Sequence, residues 1–311
     1  MRAVKAAIAA NSLVCILKFA VAAAGGSATM FAEAIHSLAD TANQALLMLG
    51  IRRSLIGPSK KFPFGRGQER FVWGLISACG VFFVGAGVTI YHGISALIEP
   101  HAPEFSVWTK VVIGIALVAE GSTLFLAWID RQRGDPTNLA VLMEDSAAVL
   151  GLLLASLAIY LTDITGEYYW DAIGSIIVGV ILAVMAMILI WQNLEYLIEK
   201  ASPAELQEEV RKELSRFPLI EEIRDTRMIV LTPETHRVRA EVELNGYLLV
   251  KEMEDILREE YEDIEDFSDF LQFCSYFANR VTRIVGKKID EMEETLKARV
   301  PYLKNVDIKP S

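Results

Sequence analysis

The chain has 311 residues, 53% of them hydrophobic, and a formal net charge of −10. That length suggests about two domains at ~150 residues each, and the apolar content exceeds that of an ordinary soluble protein. The acidic balance excludes a general nucleic-acid binder, which needs surplus Lys and Arg to meet phosphates.

The average hides a division. Residues 1–200 hold 13 Lys/Arg and 15 Asp/Glu, whereas residues 201–311 hold 17 and 25. The apolar excess therefore sits in the first part and the charge in the second, which predicts a domain boundary near residue 200. The three cysteines, Cys15, Cys79 and Cys274, form no CxxC pair and no even disulfide framework.

A membrane-spanning helix needs about 20 mostly apolar residues. Six segments qualify: 4–25, 30–51, 71–98, 108–129, 139–161 and 172–194. Most lack the polar stripe at helical period that a soluble core helix shows. Lys and Arg occur at the N-terminus (Arg2, Lys5) and in the second-to-third and fourth-to-fifth connections. The other three connections, 26–29, 99–107 and 162–171, contain neither. This alternation predicts both termini on the cytoplasmic side. The first span begins close to Met1, without a signal-peptide cleavage site or an Arg/Ser-rich presequence before it. It is expected to stay as a helix, in a prokaryotic plasma membrane.

Ionisable residues at membrane depth are costly, by ~2.5–3.5 kcal/mol each on the mildest scale, and point to function. The second segment carries Glu33, His36, Asp40, Asn43 and Gln44. The spacing i, i+3, i+7 and i+10/11 puts them on one helical face. His36 and Asp40 are one turn apart, so an imidazole and a carboxylate can reach one cation. The fifth segment opens with Glu144 and Asp145, and Glu120 lies in the fourth. Past Lys5 at the edge of the first segment, Lys18 and Lys110 are the only Lys or Arg within the six segments, so the acids look more like a cation site than a salt-bridge network. Imidazole plus carboxylate suits a divalent transition metal, Zn²⁺ first, with Mn²⁺, Fe²⁺ and Co²⁺ open. His36, Asp40 and Asp145 are the principal candidates. Glu144, Glu33 and Asn43 stand between ligand and packing residue, and Glu120 between packing, proton relay and metal contact.

These motifs together resemble the cation diffusion facilitator family. The resemblance rests on 32–50 (AEAIHSLADTANQALLMLG), 62–67 (FPFGRG), 85–94 (GAGVTIYHGI) and 144–151 (EDSAAVLG). It is nearest the branch of the animal mitochondrial zinc transporter and its prokaryotic relatives. It implies a tetrahedral transport site from an H/DxxxD pair in the second span and a matching pair in the fifth. The first pair maps onto His36 and Asp40, and the last Asp of the second onto Asp145. The position four before Asp145 is Val141, which cannot bind metal, so Glu144 is the candidate stand-in, rotated by about 100°. The resemblance also implies proton-coupled exchange by alternating access. The chemistry agrees, because a metal needs neutral His36 and ionised Asp40 and Asp145 and so competes with protons for them.

The tail reads helix (203–216), strand (222–231), strand (237–244), helix (277–300) and strand (305–309). This resembles the family's small αββαβ, ferredoxin-like domain, through which its members form homodimers. Residues 245–276 read as an insert. From 252 to 269 it holds ten acids and one base, Arg258. The readings are a solvated helix face, low-affinity cation capture or a regulatory contact. His236 is the only tail histidine, which speaks against a zinc-sensing site. Cys274 is expected to be a buried apolar residue. His92 reads as a packing residue, and His101 as at most a loose surface contact.

The expected fold is therefore a six-helix all-α transmembrane domain over 1–200 followed by a cytoplasmic α+β dimerisation domain over 201–311. The expected function is export of a divalent metal, with metal ion, protons, lipid bilayer and a second copy as partners, and no resident cofactor. An enzyme is not expected: neither HExxH nor GxxxxGK[ST] occurs. The rival is a membrane protein with a structural or receptor role.

Overall fold

The computed structural model of the chain describes residues 2–99, 103–131 and 138–311, without the side chains of 2–10, 127, 130–131 and 138–144. His101 lies outside the described residues. The chain forms two compact units, Met1–Ile198 and Glu199–Ser311.

The first unit is helical. Its elements are α1 (Arg2–Gly25), α2 (Ala28–Ser54), α3 (Glu69–Ile98), α4 (Val107–Arg131), α5 (Asn138–Thr165) and α6 (Tyr169–Leu197). Among the described residues, four are long and apolar enough to cross a membrane: α3, the stretch Val107–Leu126 of α4, Asp145–Thr165 of α5, and α6. Asn11–Gly25 of α1 forms a shorter apolar helix. α2 is as long as its neighbours, but the polar face predicted from Glu33 to Gln44 and the basic end at Arg52 and Arg53 dilute its apolar character.

Small residues let these helices approach closely. A methyl group added at Gly179 on α6 would lie 2.6 Å from Ile90 Cγ1 and 3.1 Å from the Ile90 backbone nitrogen of α3. Nearby, the Ser175 hydroxyl donates to the Thr89 carbonyl at 3.2 Å. Such close packing replaces the hydrophobic effect as the force between helices in lipid. α3 carries a single π turn at Val81–Ala86, beside Gly80, Gly85 and Gly87, an irregularity common at functional sites.

The turn from α1 to α2 is tight. Gly26 takes φ +65°, a conformation that glycine adopts without steric penalty. Ser27 then caps α2, its hydroxyl accepting from the Met30 amide at 3.1 Å. Asp171, in the first turn of α6, completes the cap. Its carboxylate accepts from the Ala28 amide at 2.6 Å, from the Thr29 amide at 3.2 Å and from the Ser27 hydroxyl at 2.6 Å. A buried carboxylate on a helix N-terminus meets both the orphan amides and the positive end of the helix dipole. α2, which carries the polar face, is thus anchored at one end to α6.

The second unit is α+β, with α7 (Ala204–Leu214), β1 (Ile220–Thr232), β2 (Thr235–Leu244), α8 (Gly246–Lys251), α9 (Glu254–Glu262), α10 (Phe267–Arg299) and β3 (Leu303–Pro310). The sheet order is β1-β2-β3, with β1 antiparallel and β3 parallel to β2. Val210 and Leu214 of α7, Val238, Ala240 and Val242 of β2, and Met292 and Leu296 of α10 form its core. Alternating burial along β2 follows the period of two that a one-sided sheet requires.

Two expectations are corrected. The last helix begins at Phe267 rather than at 277, because Asp266 closes a capping box with Asp269; the rear of the expected insert is therefore helix. Cys274 is exposed, not buried. The acids of the insert are partly matched by α10: Lys288 reaches Glu252 at 2.7 Å, and Arg280 reaches Glu260 at 3.3 Å.

Candidate metal site in the membrane unit

Two polar constellations occupy the interior of the helical unit. The first is ionic. Lys18 of α1 is fully buried, and its ammonium lies 3.0 Å from Glu33 Oε2 of α2 and 2.8 Å from Glu120 Oε1 of α4. One base thus ties three helices. This corrects the expectation that bases are too few for a salt-bridge network. For Glu33 and Glu120 the pairing with Lys18 accounts for one oxygen of each. The other oxygens, Glu33 Oε1 and Glu120 Oε2, are buried without a hydrogen-bond partner. Two carboxylates against one ammonium leave one excess negative charge when all three are ionised.

The second constellation lines a cavity of about 190 Å³, room for several waters at ~30 Å³ each. Asp40, Asn43 and Gln44 of α2, Glu120 and Thr123 of α4, and Asp145 of α5 line it. The His36 imidazole lies behind Asp40, with Nε2 3.3 Å from Asp40 Oδ2, and is itself buried. Neither ring nitrogen of His36 has a hydrogen-bond partner. Asn43 Oδ1 accepts from the Ser77 hydroxyl of α3 at 2.8 Å, which gives Asn43 a packing role on the same face.

The structure therefore brings Asp40 and Asp145, from two helices, to one cavity with His36 beside them. Glu144 belongs to α5 next to Asp145, but its side chain and that of Val141 lie outside the described ones. Among the described residues no three His, Cys, Asp or Glu side chains converge closely enough to hold a metal. His36, Asp40 and Asp145 form an open arrangement. The His92 ring packs on Phe31, with centroids 4.4 Å apart. In the second unit His236 is buried, with Nδ1 2.8 Å from the Ser202 hydroxyl, and burial lowers its pKa from 6.5.

Two residues escaped the sequence reading. Lys18 was noticed only as a rare base; its position one helix away from Glu33 was not readable from spacing along one chain. Asp171 follows an apparently ordinary connection. Its signal was the pair of an isolated acid at a span end and a Gly-Gly-Ser turn at 25–27 needing an anchor.

Apolar helices of spanning length, with ionisable groups gathered inside them, define an integral membrane protein. Residues 4–198 match the cation efflux transmembrane domain. The chain is 33% identical to the mitochondrial proton-coupled zinc antiporter SLC30A9 of Mus musculus, over 99% of this chain and 58% of that protein. It is 34% identical to metal tolerance protein C4 of Arabidopsis thaliana, over 99% of this chain and 73% of that protein. It is 25% identical to the manganese efflux system protein MneP of Bacillus subtilis, over 66% of this chain and 71% of that protein. The chain belongs to the cation efflux, or cation diffusion facilitator, family. It spans 58% of the length of the mouse antiporter.

Proposed function

We propose that this protein is a secondary transporter, not an enzyme, exporting divalent transition-metal cations, Zn²⁺ foremost, in exchange for protons. The observation that carries this reading is the shared cavity. Asp40 and Asp145 reach it from α2 and α5, and His36 stands 3.3 Å behind Asp40. Two carboxylates and an imidazole without thiolates suit reversible binding of a borderline metal. The names of the mouse antiporter and of the bacterial manganese efflux protein support the same class of substrate.

In this reading six helices span the membrane, and both termini lie on the side of the basic connections. That side is the cytoplasm if the membrane is a prokaryotic plasma membrane. His36, Asp40 and Asp145 are the metal ligands, with Glu144 the fourth. The open arrangement is one state of an alternating-access cycle, and ligand closure follows a shift of α5 against α2. Binding needs the ligands deprotonated, so metal entering from one side releases protons and protons from the other release metal. The Lys18–Glu33–Glu120 cluster borders the cavity through Glu120 and has the spare negative charge to hold a proton in transit. The second unit, with its ferredoxin-like αββαβ order, serves to pair two copies. The lipid bilayer is a further partner.

The test is uptake of Zn²⁺ into liposomes containing the purified protein. Wild type should transport, and Asp40→Ala and Asp145→Ala should each lose at least about a hundredfold in rate. That exceeds the loss typical of residues that only orient ligands, roughly ten- to a hundredfold. Retained flux in both variants would remove the site. Parallel runs with Mn²⁺, Fe²⁺ and Co²⁺ rank the metals.

A further inference from the structure

The interior of the helical unit is layered, and residue numbers give the order of the layers. α2 ends at Arg52 and Arg53, so numbers in α2 and α4 rise toward the basic connections, and those in α1 and α5 fall toward them. Leu47, Gln44 and Thr123 line the end of the cavity nearer that basic side, and Ser37, Glu120 and Ala148 the far end. Asp40 lies between.

One helical turn beyond the far end comes the ion cluster. Lys18 follows the cavity-lining Val14 by four residues, and Glu33 precedes Ser37 by four. The Lys18 ammonium joins Glu33 to Glu120 at 3.0 and 2.8 Å, and so ties α1, α2 and α4 across the path. α5 passes this layer at Gly151, where an added methyl would lie 3.4 Å from Glu33 Oε1. A further turn on, Ala22, Met30 and Ile159 form an apolar plug, with Phe31 and Ile113 packed against it. Lys18, Glu33 and Met30 are wholly buried. The cavity therefore ends at Glu120, shut beyond it by one charged and one apolar layer.

Glu120 belongs to both the cavity and the cluster. Its Oε1 accepts from Lys18, and its Oε2 is buried without a partner. An orphaned buried oxygen beside a cavity is a place for water or an ion. Lys18 and Glu33 by themselves make a neutral pair, which leaves the charge of Glu120 in excess. A divalent cation attracts a carboxylate about twice as strongly as an ammonium does at the same distance. A metal that moves from Asp40 toward Glu120 thus draws that carboxylate off Lys18. Lys18 keeps Glu33, no charge is left stranded, and the link from α1 and α2 to α4 is gone.

We infer that Lys18, Glu33 and Glu120 form the far gate of the transport path, and that the transported cation opens it by competing with the Lys18 ammonium for Glu120. This rests on the transport reading above and gives the site its regulation. The gate stays closed over an empty cavity and yields when a divalent ion arrives.

The test starts from Lys18→Met with Glu33→Gln, which removes the ammonium and its own partner together. One excess negative charge remains, now wholly on Glu120, so the competition is lost while the charge of the cluster is unchanged. Zn²⁺ binding to the full chain in lipid nanodiscs, measured by calorimetry, should tighten by at least about tenfold, an ordinary size for coupling between sites. Adding Glu120→Gln should reverse the gain. A cluster that only packs helices predicts unchanged or weaker binding, and that result would overturn the inference. A second measurement needs no substitution. In the wild type, amide exchange over 19–24 of α1 and 113–119 of α4 should quicken when Zn²⁺ is added; in the double variant it should be fast without metal. Exchange that Zn²⁺ slows or leaves alone in the wild type would also overturn the gate. Asp40→Ala separates the two readings. Wild-type binding that is absent, or that survives Asp40→Ala, would overturn both. Binding that needs Asp40 and ignores the Lys18 pair would overturn the gate alone.

Discussion

The two units treat charge in opposite ways. In the second unit, ion pairs such as Arg258 with Glu254 and Arg224 with Glu243 lie at the surface, where water solvates each partner alone. In the helical unit a single ammonium, Lys18, is fully buried between two carboxylates of other helices. The interaction is the same by distance and different in consequence. An exposed pair exchanges one solvation for another, whereas a buried charge without its partner has nothing to replace water. The number of charges in a region therefore says little about their importance, and the environment of each decides.

The comparison breaks first at Lys18. Lys18→Met leaves Glu33 and Glu120 buried without their counter-charge and should destabilise the helical unit by about 3–5 kcal/mol. The readout is thermal unfolding in detergent. The combined Lys18→Met, Glu33→Gln, Glu120→Gln variant should recover most of that loss. A single variant as stable as wild type would show that the cluster does not tie the helices.

Next comes the anchor of α2. Asp171→Ala removes the acceptor for two amides and the Ser27 hydroxyl and should lower stability by about 1–2 kcal/mol. Hydrogen exchange should quicken at the start of α2, near residues 28–31, before it does elsewhere. Uniform quickening along α2 would argue against a local cap.

A smaller effect belongs to His236. Burial lowers its pKa from 6.5 in the folded protein, so the unfolded chain takes up the proton first as pH falls. Stability of the second unit should be flat above about pH 6.5 and decline below it, until the folded state also protonates. Protection of β2 amides, corrected for intrinsic exchange rates, should follow that curve, and His236→Gln should flatten it. Protection rising on acidification would reverse the sign and contradict a buried neutral imidazole. The smallest effect is at Arg258→Ala, where the melting temperature should not change measurably.

What could be read from sequence followed the reach of local pattern. The polar face of α2 was visible because helical period alone aligns Glu33, His36 and Asp40. The strands of the second unit were visible because alternation alone marks a one-sided sheet. The partners of those residues were not visible. Lys18 meets Glu33 and Glu120 only after three helices pack, and nothing in spacing along one helix encodes a neighbour's register. The start of α10 was missed for a related reason. The 267–276 stretch is rich in aromatic residues and weak in helix propensity, and its helix is set by the capping box at Asp266 and Asp269. Cys274 was expected to be buried on residue type alone, but it lies on an exposed stretch of α10.

The central claim is that metal and protons exchange at the cavity lined by Asp40 and Asp145. Its most direct measurement records Zn²⁺ entry and luminal pH together in liposomes bearing the purified protein. An inward Zn²⁺ gradient should drive protons out of the lumen. An opposing pH gradient alone should accelerate Zn²⁺ uptake, and Asp40→Asn should abolish both. Zn²⁺ flux that ignores the pH gradient, or that persists in Asp40→Asn, would contradict it.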